Sequence, residues 1–268
     1  MTRYDFYLGG FKLCLGSETK IMGVLNVTPD SFSDGGEFLD PGAALNHALR
    51  MQAEGAHIID VGGESSRPGA RPLSAKEEIR RLRPVFKRLS RQVEVPLSVD
   101  TYKSEVARMA LDEGAVLIND ICALRADRKM ARLVSRYQAS VVLMHMQGKP
   151  QTMQKNPSYR DVLKETKQFL KTAIGRALEA GIPRNRLLID PGFGFGKTPD
   201  QNLTLLSRLD SFHALRCPIL AGLSRKSFLG HLLGVAVKDR LVASLAAASV
   251  AVHRGAHILR VHDVLAHR

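Results

Sequence analysis

The chain has no tryptophan, only three cysteines, and no apolar run approaching the roughly twenty residues that a membrane-spanning helix needs. Its best candidate, the alanine-rich run around 245–252, is too short and reads as a buried helix. Cys14, Cys122 and Cys217 are odd in number, widely spaced and unaccompanied by histidine or cysteine at metal-ligand spacing. That pattern excludes a disulfide framework and a structural zinc site, and leaves reduced core thiols. No basic segment followed by a long apolar one opens the sequence, so a secretory signal is not expected and a cytoplasmic location is. Low-complexity tracts and linkers are missing too.

Acidic residues are in short supply: 26 Asp and Glu face 39 Lys and Arg, a formal charge of +13. Such a balance suits nucleic acid, an anionic membrane or an anionic small substrate, and does not choose among them. The densest basic stretch, 71–91, interleaves its charges with Ile79, Leu82, Val85, Phe86 and Leu89 at helical spacing, as a solvated amphipathic helix does. It carries no aromatic residue on the polar side for a base to stack on, so neither a nucleic-acid partner nor a membrane is expected.

With 268 residues and 44% hydrophobic content, the chain can fill one large core, and a single domain over 1–268 is the default. Short β-branched runs alternate with longer amphipathic ones, the pattern of βα units on a parallel sheet. Strands are predicted at 21–27, 57–62, 96–100, 116–120, 140–145, 187–190, 218–223 and 258–262. Helices are predicted near 43–54, 75–91, 103–113, 128–138, 159–180, 200–214 and 239–254, with Gly55, Gly114, Gly181 and Gly255 as C-terminal stops. The first twenty residues, with Gly9 and Gly10 between two alternating segments, read as a hairpin plugging the barrel bottom. The fold class is therefore α/β, a (β/α)8 TIM barrel with an N-terminal β-hairpin and its final helix missing.

Polar residues gather at the C-terminal ends of these strands, where a parallel barrel places its active site. They are Asn26, Asp60, Asp100, Asn119 with Asp120, His145, Asp190, Lys226 beyond Ser224, and Arg260 with His262. Helix capping explains one or two of these, not a set in phase. The segment 25–36 is too long and too rich in Gly, Pro, Ser and Asp for a simple turn and reads as a functional loop. Segment 62–70 sets Ser65, Ser66 and Arg67 beside glycines, which suits an anion. Segment 190–198 looks like a P-loop, but only three residues separate Gly192 from Gly196 where that motif needs four, so an ATPase reading is rejected.

Seven ordered motifs then carry a resemblance: IMGVLNVTPDSFSDGG at 21–36, DVGGESSRPGA at 60–70, SVDT at 98–101, IND at 118–120, LIDPGFGFGK at 188–197, LSRKSFLG at 223–230 and RVHDV at 260–264. Over nearly its whole length the chain resembles the bacterial dihydropteroate synthases. The resemblance implies a transferase joining 6-hydroxymethyl-7,8-dihydropterin pyrophosphate to 4-aminobenzoate, with release of pyrophosphate. It implies Asp100, Asn119, Asp190 and Lys226 around the pterin, and Asn26, Arg260 and His262 at the pyrophosphate. Magnesium would be held partly by Asn26, a hard oxygen ligand. Asp34 and Arg67 would fold over the site, making Asp100, Asn26, Asp34 and Arg67 the catalytic set. Ser66, Arg67, Pro68, Phe195 and Ser227 would border the aminobenzoate slot, and sulfonamide sensitivity follows from that likeness. His145 is left either as a core-edge histidine or as a residue set against the pterin. His47, His57, His213, His231, His253, His257 and His267 read as surface or packing residues.

Two features depart from the family pattern. Ser66 stands where threonine is usual, a lost methyl worth about 1 kcal/mol or less. Family members also continue past RVHDV into a helix that closes the barrel and helps form a homodimer, whereas here HDVLAHR is last. The competing readings are a methyltetrahydrofolate:corrinoid methyltransferase, which has no pyrophosphate to bind, and a non-catalytic barrel holding a pterin or an RNA. The 65–69 loop and the 224–227 motif favour the synthase.

Overall fold

A computed structural model describes residues 2–28, 40–65 and 69–268; Asp34, Ser66, Arg67 and Pro68 lie outside the described residues. The hairpin comes first, with β1 (Tyr4–Leu8) antiparallel to β2 (Phe11–Leu15). Eight parallel strands follow: β3 (Lys20–Asn26), β4 (Ile58–Gly62), β5 (Leu97–Asp100), β6 (Leu117–Asp120), β7 (Ser140–Met144), β8 (Leu187–Asp190), β9 (Leu220–Ala221) and β10 (Ile258–Val261). They run in the order β8-β7-β6-β5-β4-β3-β10-β9. A parallel bridge from Ile189 to Ile219, with Ile189 N–H donating to the Pro218 carbonyl, joins the two ends into a nearly closed (β/α)8 barrel.

Helices α1 (Pro41–Ala53), α2 (Ala75–Gln92), α3 (Ser104–Asp112), α4 (Met130–Tyr137), α5 (Val162–Glu179), α6 (Pro199–Ser207), α7 (Ser227–Leu233) and α8 (Leu241–His253) form the outer layer. Their ends follow local chemistry. Asp40, Ser74, Asp161 and Thr198 accept from backbone N–H groups of the first turns, and Thr198 with Gln201 makes a reciprocal capping box. Gly55, Gly114, Gly181 and Gly255 follow their helices with positive φ, as expected. Beyond β10 there is no long helix, only a single turn, α9 (Val264–His267), whose Val264 is buried.

The period-2 alternation of the strands sorts the interior. Ile59, Val61, Val99, Ile118, Val141, Leu143, Ile189 and Leu259 pack outward against the helices. Met22, Ile58, Leu117, Val142, Leu188, Leu220 and Ile258 instead form an inner layer at the barrel bottom, capped by Phe6, Leu8 and Leu15 of the hairpin. The plug is thus present, and His257 ties it down: its Nδ1 accepts from Ile219 N–H at 3.0 Å and its Nε2 lies 3.0 Å from the Thr2 carbonyl.

Three expectations need correction. Cys14 is exposed rather than a core thiol, because it lies in the edge hairpin strand β2; Cys122 is half-buried and Cys217 buried, and all three are free. The alanine-rich helix α8 is only half-buried, since Ala243, Ala247, Ala248 and Ala251 face inward while Val242 and Val250 face out. Helix α7 was not expected; seven residues starting just past a Ser-Arg-Lys turn carry too little periodicity to register as a helix.

Candidate active site

Along the inward phase, the apolar bottom layer gives way to polar residues toward the strand ends. Register pairs Asn26 with Gly62, Gly62 with Asp100 and Asp100 with Asn119, so these positions share one level of the mouth. Gly62 keeps that level open: a Cβ there would stand 3.7 Å from Asp100 Oδ2 and 3.9 Å from Asn26 Oδ1. One turn of the pleat below lies Asp60, fully buried.

Arg260 crosses the barrel to bind two carboxylates. Its Nε donates to Asp60 Oδ2 at 2.7 Å and its Nη2 to Asp100 Oδ2 at 2.8 Å. Asn119 Nδ2 also donates to Asp60 Oδ2, at 2.9 Å. Asp60 therefore orients both Arg260 and Asn119, a role the strand-end pattern pointed to without naming. Burial pushes the Asp100 carboxyl up to about 7, with Arg260 pulling it back and Asp60 adding to the rise. Burial also raises Asp190, opposed by Gly192 N–H, which donates to its Oδ1 at 2.7 Å, and by Lys226.

Lys226 is set by the 223–226 turn. Arg225 has φ +56°, donates its N–H to Ser244 Oγ at 2.8 Å, and clamps Asp263 with its guanidinium. This leaves Lys226 Nζ over the Phe195 ring, 4.3 Å from its centroid, with burial lowering the ammonium to about 8. His262 Nδ1 lies 3.0 Å from Ser224 Oγ, whose oxygen accepts from His262 N–H. A Ser224 hydroxyl that donates to Nδ1 leaves the imidazole proton on Nε2, facing away from the serine. Burial and the neighbouring Arg260 hold this histidine neutral, with its pKa lowered to about 3.

The loop after β8 is locked by a residue the sequence reading passed over when it dismissed the P-loop. Buried Lys197 directs its ammonium to the Gly192 carbonyl (2.8 Å), the Phe195 carbonyl (3.1 Å) and His145 Nδ1 (2.9 Å). Three acceptors match its three protons. Burial lowers Lys197 to about 7 and His145 to about 2, so His145 is a neutral acceptor packed against Phe169. Gly192 makes the lock possible. Its φ is +72°, and a Cβ would fall 1.9 Å from the His145 carbonyl oxygen. Gly192→Ala is expected to cost at least about 2 kcal/mol from strain and displacement together, read as a lowered Tm by calorimetry.

Other strand-end residues do different work. Asp120 Oδ1 and Oδ2 accept from Cys122 and Leu124 N–H, at 2.8 and 2.7 Å, so it holds the turn after β6 rather than lining the mouth beside Asn119. Of the aminobenzoate set, Phe195 is buried beneath Lys226, and Ser227 is exposed on a cavity of about 410 Å³ shared with Gly194, Lys197 and His231. Before the 66–68 segment, Glu64 accepts from Tyr102 Oη (2.8 Å), Leu73 N–H (3.0 Å) and Lys103, which also reaches buried Glu78 (2.6 Å). Glu78 was legible in principle, since it lies on the apolar face of α2 with Leu82, Val85 and Leu89. Among the described residues, no group of three or more His, Cys, Asp and Glu is placed to hold a metal. Asn26, at the end of β3, carries an amide oxygen, a hard ligand that would suit a cation keeping most of its own waters and phosphate ligands.

Comparison with known proteins agrees with this geometry. Residues 22–262 match the family model for pterin binding enzymes. The dihydropteroate synthase of Escherichia coli K12 is 49% identical over 248 residues, covering 92% of this chain and 88% of that protein. A Yersinia pestis dihydropteroate synthase solved as a sulfonamide drug complex superposes with a TM-score of 0.93 at 45% identity, covering 98% of this chain and 95% of that one. One from Xanthomonas albilineans, solved with 4-aminobenzoic acid, gives 0.92 at 47% identity, with coverage of 99% and 95%.

Proposed function

Because the chain belongs to the pterin binding enzyme family, and carries out the dihydropteroate synthase reaction of folate biosynthesis, we propose a division of labour for the residues at its barrel mouth. Asp100, Asn119, Asp190 and Lys226 hold the pterin edge, whose alternating donors and acceptors match carboxylate, amide and ammonium groups. Arg260, His262 and Asn26 receive the pyrophosphate. The observation that supports this reading is the double ion pair of Arg260 with Asp60 and Asp100, a guanidinium directly beside a carboxylate at one level of the mouth, as a leaving group and a ring side by side require. Neutral His262 supplies an Nε2–H donor to a phosphate oxygen.

The bond from methylene carbon to ester oxygen breaks, the oxygen leaves with pyrophosphate, the aminobenzoate nitrogen forms the new carbon–nitrogen bond, and that nitrogen loses a proton to solvent. As the old bond opens, positive charge spreads from methylene into the ring, and ionised Asp100 stabilises it. Asn26 fits magnesium through its amide oxygen, and the ion would neutralise charge on the departing pyrophosphate. Phe195 and Ser227, with Ser66, Arg67 and Pro68, border the aminobenzoate, while Asp34 and Arg67 cover the reacting centre. One pterin-binding domain spans 1–268, and it works in the cytoplasm, where its free thiols stay reduced.

The test is pyrophosphate release from the pterin pyrophosphate as a function of pH. Release should need both aminobenzoate and magnesium and stop with excess sulfonamide. Asp100 works ionised, so kcat/KM should rise as pH climbs through about 7; Lys226 works protonated, so it should fall above about 8. A flat profile over pH 6–9 would remove both assignments.

A homodimer completes the proposal. Leu232, Leu233, Val237, Leu241 and Val242 all stand exposed in the stretch 232–242, with Val242 at 78%. An apolar strip of this kind is covered when a second copy docks. Light scattering should give twice the monomer mass, and Val242→Glu should shift it to the monomer with the fold intact.

A further inference from the structure

Away from the barrel mouth, an open cleft of about 570 Å³ between α4 and α5 is lined by Arg125, Arg128, Arg132 and Arg176, with Leu124, Ala131 and Ala180 as its apolar floor. Among its described lining residues the only acid is Glu179, and none of the four guanidinium groups lies within ion-pair distance of a described carboxylate, although ion pairs are common elsewhere in the molecule. The nearby Asp127 is committed to Ser104 N–H and Lys129 N–H. Two of the arginines are held in place. Arg176 Nη1 donates to the Ala123 carbonyl at 2.9 Å; Arg125 donates to the Cys122 and Met146 carbonyls at 3.3 and 3.4 Å, and its guanidinium covers the Phe169 ring at 4.4 Å. Arg128 and Arg132 are exposed and make no bond to a described residue.

Four guanidinium groups around one concavity, with Glu179 as the one acid among its described lining residues, give it a net positive charge that draws an anion. Guanidinium forks match phosphate oxygens in pairs, which ammonium groups do not. The volume is in the range of small-molecule sites, and the apolar floor offers contact to a ligand body beyond its phosphates. We propose that this cleft is a second anion site, taking a small polyphosphate such as a nucleoside triphosphate, distinct from the site for the leaving pyrophosphate. Arg125 connects it to the mouth. Its Met146 contact lies on the segment after β7, where Met146 packs with Met144, Ile121 and Phe195. An occupant that draws Arg125 toward the cleft competes with that tether, so binding is coupled to the segment after β7.

Isothermal titration of the full chain with tripolyphosphate, ATP and uncharged adenosine tests this, with Arg128→Glu/Arg132→Glu as the comparison. Both substitutions fall on exposed side chains without partners in the fold, so turnover of the free enzyme should be unchanged. The wild type should bind ATP at one site that the double variant weakens at least tenfold, while adenosine gives no heat. Tripolyphosphate matching ATP assigns the affinity to the phosphates, and tighter ATP brings in the floor; either supports the site. A double variant that binds ATP as the wild type does, with its own turnover intact, overturns the proposal without touching the assignment of the barrel mouth. Affinity that follows aminobenzoate-dependent turnover in an Arg260→Met control would place the anion in the mouth and overturn it equally.

Discussion

Asp100→Asn should lower kcat by about a hundred- to a thousandfold, the range typical for removing one preorganised electrostatic group from a water-poor site. The substitution preserves shape and leaves an oxygen to accept from Arg260 Nη2, so the barrel should keep its circular dichroism and its Tm within a few degrees. What it removes is negative charge at the point where the substrate becomes positive. In the proposed site, substrate binding draws on Asn119, Asp190 and Lys226 as well, so the KM for the pterin should move far less than kcat. The acid limb of the pH profile should disappear with the carboxylate if, as proposed, that limb belongs to Asp100, whose carboxyl burial raises to about 7. Steady-state pyrophosphate release in both variants checks all three statements. A fall of less than tenfold would move the stabilising charge to Asp190, the other raised carboxyl facing the mouth.

The barrel was legible because its determinants are local. Each strand is a short β-branched run, and seven of the eight were placed to within a residue or so at each end. The exception, β9, shrinks from 218–223 to Leu220–Ala221 because Gly222 and the turn around Arg225 leave the sheet early to position Lys226. The site was legible for a related reason. Alternation puts Asp100, Asn119, Asp190 and Arg260 in the same inward phase as the apolar bottom layer, two residues or more further along each strand. What alternation does not carry is pairing. Nothing in the spacing of Asp60 and Arg260, two hundred residues apart, says that they share a hydrogen bond, nor that Lys197 closes on His145 rather than on a phosphate. Asp120 shows the converse error, a strand-end carboxylate in sequence that faces its own turn in space.

That unlegible pairing gives the second large effect. Arg260→Met removes the only described cation within ion-pair distance of either Asp60 or Asp100, and breaking a buried pair from one side costs about 3–5 kcal/mol. The loss should depend on pH in a definite direction. Arg260 holds the Asp100 carboxyl down to about 7, so without the guanidinium its folded-state pKa rises further above the unfolded value near 3.8. A folded-state pKa above the unfolded value makes stability fall as pH rises between the two, so the variant should melt closest to wild type in acid and fall furthest behind above pH 7. Activity should drop by more than a thousandfold at every pH, because leaving group and Asp100 lose their organiser together. Arg260→Lys distinguishes charge from geometry: one ammonium restores part of the stability but does not reproduce the fixed fork that spans two carboxylates. Thermal melts of the three proteins from pH 5 to pH 9, beside pyrophosphate release, separate the two contributions. Equal melting of wild type and Arg260→Met at pH 8 would mean that Asp60 and Asp100 are not held by this ion pair in solution.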